Sequence, residues 1–166
     1  GDVGRLSRPQ DAGRCPQGSA MKKELDELLC KRYPLIFAER NLPMKETAMC
    51  WGFTCGDGWF DLIDTLCERL QFWTEHNKAP QVVAVQVKEK WGELCFYPSG
   101  GASEEQWGMI NMAEAMSARI CEQCGRPGQT LVKGHWHMTR CAEHAPEGTI
   151  TQEAYNAQRK VPEIAP

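Results

Sequence analysis

From Met21 onward the chain moves between two hydrophobic periods, and each period predicts elements. Met21, Leu25, Leu28 and Leu29 recur at helical spacing, with Lys and Glu covering the other face. That predicts a helix over 21–32, ended by Pro34. "PLIFAERNLP" follows as a short apolar segment and a loop bounded by Pro43. The clearest period lies in "GDGWFDLIDTLCERLQFWTEH". Trp59, Leu62, Ile63, Leu66, Leu70 and Trp73 share one stripe, and Asp61, Asp64, Glu68 and Glu75 lie mostly off it. Asp57 is the expected N-cap, since its carboxylate can accept an orphan backbone N–H. Asn77 and Pro80 mark the end.

The period then shortens to two. In "QVVAVQVKEKWGELCFYP", Val83, Val85 and Val87 alternate with Ala84, Gln86 and Lys88, as in a strand with one buried face. After a turn at Trp91-Gly92, Leu94 and Phe96 share one side of "ELCFY". The two segments predict a β-hairpin. Ser103-Glu-Glu-Gln106 has the form of a capping box opening a third helix. Its apolar stripe is Met109, Met112, Ala113, Met116 and Ile120, which is expected to pack into the core. The tail predicts one short, weakly patterned helix between about Ile150 and Lys160, ordering against a partner or neighbouring surface. Residues 1–20 show no period and are rich in Gly, Pro, Arg and Ser. They are expected to form a flexible leader, with Met21 the natural start.

Composition alters this picture only at a few points. The 166 residues have ordinary apolar and charged fractions, as for one globular domain with an appended module. The net charge of -3 gives no general basic field to draw the chain onto nucleic acid. Apolar runs are short and broken by charge, so no membrane span and no signal peptide are expected. Nine cysteines, an odd count without an export signal, argue against a complete disulfide framework and for a reducing cytosol.

The placement of three of those cysteines matters more than their number. Cys121 and Cys124 are two residues apart and followed by Gly125, as in a metal knuckle. Two short strands hinged at Lys133-Gly134 come next, and Cys141-Ala-Glu-His144 closes the set. The pattern C-x2-C-x16-C-x2-H supplies Cys121, Cys124, Cys141 and His144 for one tetrahedral Zn²⁺. Four protein ligands leave no open position for water, so a structural zinc is expected, in a treble-clef-like finger.

His135 and His137 stand outside that set. They are expected on one face of a strand, with Trp136 opposite. A histidine on such a hairpin allows a His-metal nuclease of the ββα type as an alternative, but that chemistry needs further His or Asn ligands on the next helix. Only His144, already assigned to zinc, and Asn156 lie downstream. A DNA-binding regulator is the other alternative. Between Cys121 and His144 the charges are Arg126, Lys133 and Arg140 against Glu122 and Glu143, a balance of +1. Phosphate binding needs clustered cations, so nucleic acid is not the favoured partner.

"CWGFTCGDGW" is a second unusual stretch. A further metal site at Cys50 and Cys55 would need ligands such as Cys67, His76 or Cys95, and Cys-x4-Cys is not the spacing of dithiol catalysts. Burial of an aromatic, glycine-rich turn is expected instead. Asp57, Asp61 and Asp64 suggest magnesium only weakly, because acidic residues belong in a first helical turn. No Ser-His-Asp arrangement, P-loop or dinucleotide fingerprint is present.

"CGDGWFDLIDTLCERLQ", "QVKEKWGELCFY" and "MSARICEQCGRPG…TRCAEHAP" together resemble a group of small zinc-finger proteins of tailed bacteriophages and prophages. The resemblance covers roughly Leu25 to Pro146. It implies a viral setting in the bacterial host cytoplasm, and it implies Cys121, Cys124, Cys141 and His144 as the zinc ligands. It supplies no activity.

The combined expectation is an α+β protein. A β-hairpin is packed by helices over 21–118, a treble-clef-like zinc finger spans 119–146, and a tail covers 147–166. The expected function is non-enzymatic: binding a host or phage protein, with inhibition of a bacterial anti-phage defence as the setting.

Overall fold

The computed structural model describes residues 20–160. Residues 1–19 of the expected leader over 1–20, with Cys15, and residues 161–166 of the tail lie outside the described residues. The architecture is mixed α+β, with four α-helices and two three-stranded sheets among the described residues. None of those helices is long and apolar enough to cross a membrane.

Helix α1 (Lys23–Arg32) buries Leu29 and, less obviously, Asp26. Arg40 pairs with the Asp26 carboxylate at 3.0 Å, which offsets the cost of its burial. The first sheet has the order β1-β2-β3, from β1 (Phe53–Thr54), β2 (Ala84–Lys90) and β3 (Glu93–Pro98). The expected hairpin is β2–β3. Strand β1 lies parallel to β2 on its other side and went unpredicted, since two residues carry no period. Helix α2 (Phe60–His76) links β1 to β2 and buries Ile63, Leu66, Cys67 and Leu70 against the sheet.

Three expectations need correction here. Asp57 does not cap α2, because a single 3-10 turn over Asp57–Trp59 delays the helix start to Phe60. The Asp57 carboxylate instead accepts the Lys22 backbone N–H at 2.8 Å. Ala84 and Val87 of β2 are buried, as is Val82 just before it, while Val83 and Val85 are only half-buried. A β-bulge between Ala84 and Gln86 breaks the strict alternation.

The third correction concerns helix α3 (Glu104–Ser117). Its capping box is present: Gln106 N–H donates to Ser103 Oγ at 3.2 Å, and Ser103 N–H donates to Gln106 Oε1 at 2.9 Å. But the buried face is Gln106, Ile110, Ala113 and Ser117, and Met112 and Met116 are 65% and 41% exposed. Polar residues at two inward positions disguised that face. Gln106 donates to Thr74 Oγ1 and to the Pro80 carbonyl, and Ser117 Oγ accepts the Leu94 N–H at 2.8 Å. Each polar group is satisfied, so its burial is tolerated. The methionines, with Leu62, Leu66 and Met109, line an open groove of about 550 Å³ between α2 and α3.

The second sheet has the order β5-β4-β6, from β4 (Gln129–Lys133), β5 (Trp136–Arg140) and β6 (Ile150–Thr151). The tail therefore enters the sheet of the finger hairpin, and α4 (Gln152–Arg159) follows with Thr151 as its cap.

Candidate functional site

The knuckle after α3, the strand β5 and one 3-10 turn over Ala142–His144 bring the four expected ligands together. The three sulfurs and one histidine nitrogen all lie within 4.8 Å of one another. Cys124 Sγ is 3.7 Å from Cys141 Sγ, and His144 Nδ1 is 3.7 Å from Cys121 Sγ and 3.2 Å from Cys141 Sγ. Metal–sulfur bonds of about 2.3 Å and a metal–nitrogen bond of about 2.0 Å would set tetrahedral edges near these lengths. The donor set thus fits one metal ion. Burial opposes ionisation of Cys121, but backbone N–H groups of Cys141, Cys124 and Gln123 point at its sulfur and bring the thiol down to about 6. Among the described residues, this is the one group of three or more candidate donors gathered so closely.

The glycine-rich turn before α2 explains how the cluster is held. Gly58 N–H donates to the Glu122 carbonyl at 2.8 Å, and the Trp59 indole N–H donates to the Ile120 carbonyl at 2.9 Å. A Cβ on Gly58 would sit 2.2 Å from the Cys121 carbonyl oxygen, and one on Gly56 would sit 2.3 Å from that of Glu122. Only glycine lets the two backbones approach this closely. "CGDGW" is therefore the seat of the Cys121–Cys124 knuckle; the expected burial of the stretch holds for Phe53, Cys55 and Trp59, whereas Trp51 is 63% exposed.

The same contact is locked by a buried ion pair. Arg140 Nη1 lies 2.9 Å from Glu122 Oε2, with side chains 4% and 3% exposed. Glu122 Oε1 also accepts the Gly56 N–H at 2.9 Å, and Arg140 Nη1 also donates to the Thr139 carbonyl. Arg126 pairs with Glu143 at 2.8 Å on the surface. Of the five charges between Cys121 and His144, only Lys133 is without an ion pair among the described residues. The +1 counted in the sequence is thus a single lysine and no cluster for a phosphate.

His135 and His137 do not share a strand. His135 occupies the β4–β5 turn, and only His137 lies in β5, because the strand begins at Trp136. His137 Nδ1–H donates to Gln152 Oε1 at 2.7 Å, and its ring meets Trp91 and Tyr155 edge-on at 5.5 and 5.3 Å. Both histidines border a pocket of about 370 Å³ with Glu89, Trp91 and Trp136. That pocket forms where the β2–β3 turn meets β5. Thr139 Oγ1 donates to the Gly92 carbonyl at 2.7 Å, fixing the junction. Trp91 has φ 56° and Gly92 φ 83°, so both residues of this two-residue turn are left-handed. Asn, Asp or Gly usually occupy the first position. Tryptophan there costs about 1–2 kcal/mol. No sequence signal beyond this unusual Trp-Gly turn marked the pocket.

Among the described residues, Cys50, Cys55, Cys67 and Cys95 form no disulfide. Burial pushes the Cys55 and Cys67 thiols up, which disfavours the reactive thiolate. Asp64 accepts the Tyr33 hydroxyl at 2.7 Å and pairs with Arg32 at 3.0 Å. Asp57 is held by Lys22, and Asp61 is exposed. The three carboxylates do not converge on one ion.

Comparison with known protein families, curated proteins and solved structures finds no match for the chain.

Proposed function

We propose that the chain is a zinc-stapled binding protein, and that it acts by occupying a host or phage protein rather than by transforming a substrate. In this reading Cys121, Cys124, Cys141 and His144 Nδ1 hold one Zn²⁺ in a treble-clef-like module. The ion supplies structural cross-linking. One contrast carries the reading. All four donors of the cluster are side chains, gathered in a joint closed by the Gly56–Trp59 turn. Yet large apolar side chains stand outside the core, with Trp91, Trp136 and Met112 each more than half exposed. Exposed aromatic and methionine side chains are what protein-binding surfaces use. The phage setting, and inhibition of a bacterial defence as its purpose, rest on the resemblance of the 55–71, 86–97 and 116–146 segments to small phage zinc-finger proteins.

A tagged chain should retain a protein from bacterial lysate, and the retention should survive nuclease treatment. Recovery of no protein, with or without nuclease, contradicts the reading. The plasmid assay separates the nuclease alternative. Cleavage with Mg²⁺ or Mn²⁺ that disappears in His135→Ala or His137→Ala would replace binding by catalysis.

A further inference from the structure

We propose that the pocket between the β2–β3 turn and β5 binds the guanidinium of an arginine side chain presented by the partner protein. The inference rests on the protein-binding reading and names the chemistry of one contact within it.

Three observations carry it. Trp91 and Trp136 stand on the pocket's rim at 65% and 52% exposure, in a molecule whose core tryptophan, Trp59, is completely buried. An indole is the best aromatic partner for a cation, and guanidinium also stacks on its face. Glu89 supplies the only carboxylate in the pocket lining. Its partner among the described residues is the Gly92 N–H, which donates to Oε1 at 2.7 Å. No Lys or Arg of those residues forms an ion pair with it, and the nearby Arg140 is already paired with Glu122. The pocket thus joins aromatic walls, with His135 and His137 beside them, to a carboxylate that has no Lys or Arg ion pair among the described residues.

The third observation is the strained turn. Trp91 is held at positive φ, and the turn is fixed from beneath by the Thr139–Gly92 hydrogen bond. Strain at a residue that displays its ring points to a use for that ring. Burial also pushes the Glu89 carboxyl up, which a bound cation would reverse. A nucleobase could stack on the same indoles, but Glu89 would repel the phosphate attached to it. Lys133, on the neighbouring strand end, is the one unpaired cation between Cys121 and His144 among the described residues available to offset that.

The test uses the full chain and a small probe, N-acetyl-arginine methylamide, followed by the indole N–H resonances. Trp91 and Trp136 should shift together, saturating at millimolar concentration. The neutral isostere, N-acetyl-citrulline methylamide, should bind about tenfold more weakly. Trp136→Ala and Glu89→Gln should each weaken the arginine probe about three- to tenfold, with the unfolding midpoint as a check that the fold persists. Gln keeps an acceptor for the Gly92 N–H. Equal shifts from citrulline overturn the proposal, and so do shifts confined to other residues, or uridine monophosphate binding better than arginine. If the probe binds but lysate retains no protein, the pocket stands and the protein-binding reading falls. If the probe fails while capture persists, the pocket falls and the reading stands.

Discussion

Cys124→Ser should release the metal and lower stability more than any other single change in the molecule. In small metal modules the binding free energy is folding free energy, with apparent values of about 10–16 kcal/mol for structural zinc. A domain's whole net stability is about 5–15 kcal/mol. Loss of one ligand therefore threatens the entire knuckle and the surfaces that dock on it. Cys124 is the informative ligand because it alone among the three cysteines is exposed. Serine there opens no core cavity, so the loss reports the metal and not side-chain packing. Metal content should fall from one equivalent per chain toward zero, and the unfolding midpoint should fall with it. A variant that keeps both its metal and its midpoint would remove Cys124 from the site.

Arg140→Met should have the second largest effect. It strips the cation from Glu122, whose carboxylate is 3% exposed. Removing one partner of a buried pair costs about 3–5 kcal/mol, because the remaining charge is left uncompensated. The effect should be transmitted to the metal joint, since Glu122 lies directly after Cys121 and holds Gly56 and Gly58. Adding Glu122→Gln should recover much of the loss. The amide is neutral and still accepts the Gly56 N–H. Denaturant unfolding of the two single variants and the double variant measures the coupling directly. A cost for Arg140→Met of about 0.5 kcal/mol or less, as at ordinary surface sites, would mean that the pair does not hold the joint.

The sequence carried the four ligands because C-x2-C and C-x2-H are local patterns whose spacing is itself the geometry. It carried α2 and the capping box of α3 for the same reason: a long period and a four-residue motif both lie within one element. What it hid was tertiary. Gln106 and Ser117 are polar, yet each finds its partner on a different element, Thr74 and Leu94, so hydropathy turned the inward face of α3 toward Met112 and Met116, while Ala113, Met109 and Ile120 do lie in or against the core. The bulge in β2 changed which valines point inward. Glu122 and Arg140 counted as surface charges until folding set them 2.9 Å apart. Gly56 and Gly58 gave a turn signal, but their requirement for close approach appears only when the knuckle lies against them. The Trp91–Trp136 pocket is made by residues of two hairpins that lie more than forty positions apart in sequence, with Thr139 Oγ1 on the Gly92 carbonyl at the junction.

The central claim is a closed metal centre that holds a binding surface in place. X-ray absorption at the zinc edge of the purified chain tests it most directly. The expected result is one zinc per chain, with three sulfurs at about 2.3 Å and one nitrogen at about 2.0 Å. A shell with fewer than three sulfurs would contradict it, and so would a water oxygen in a fourth position, which marks an open site of the catalytic kind.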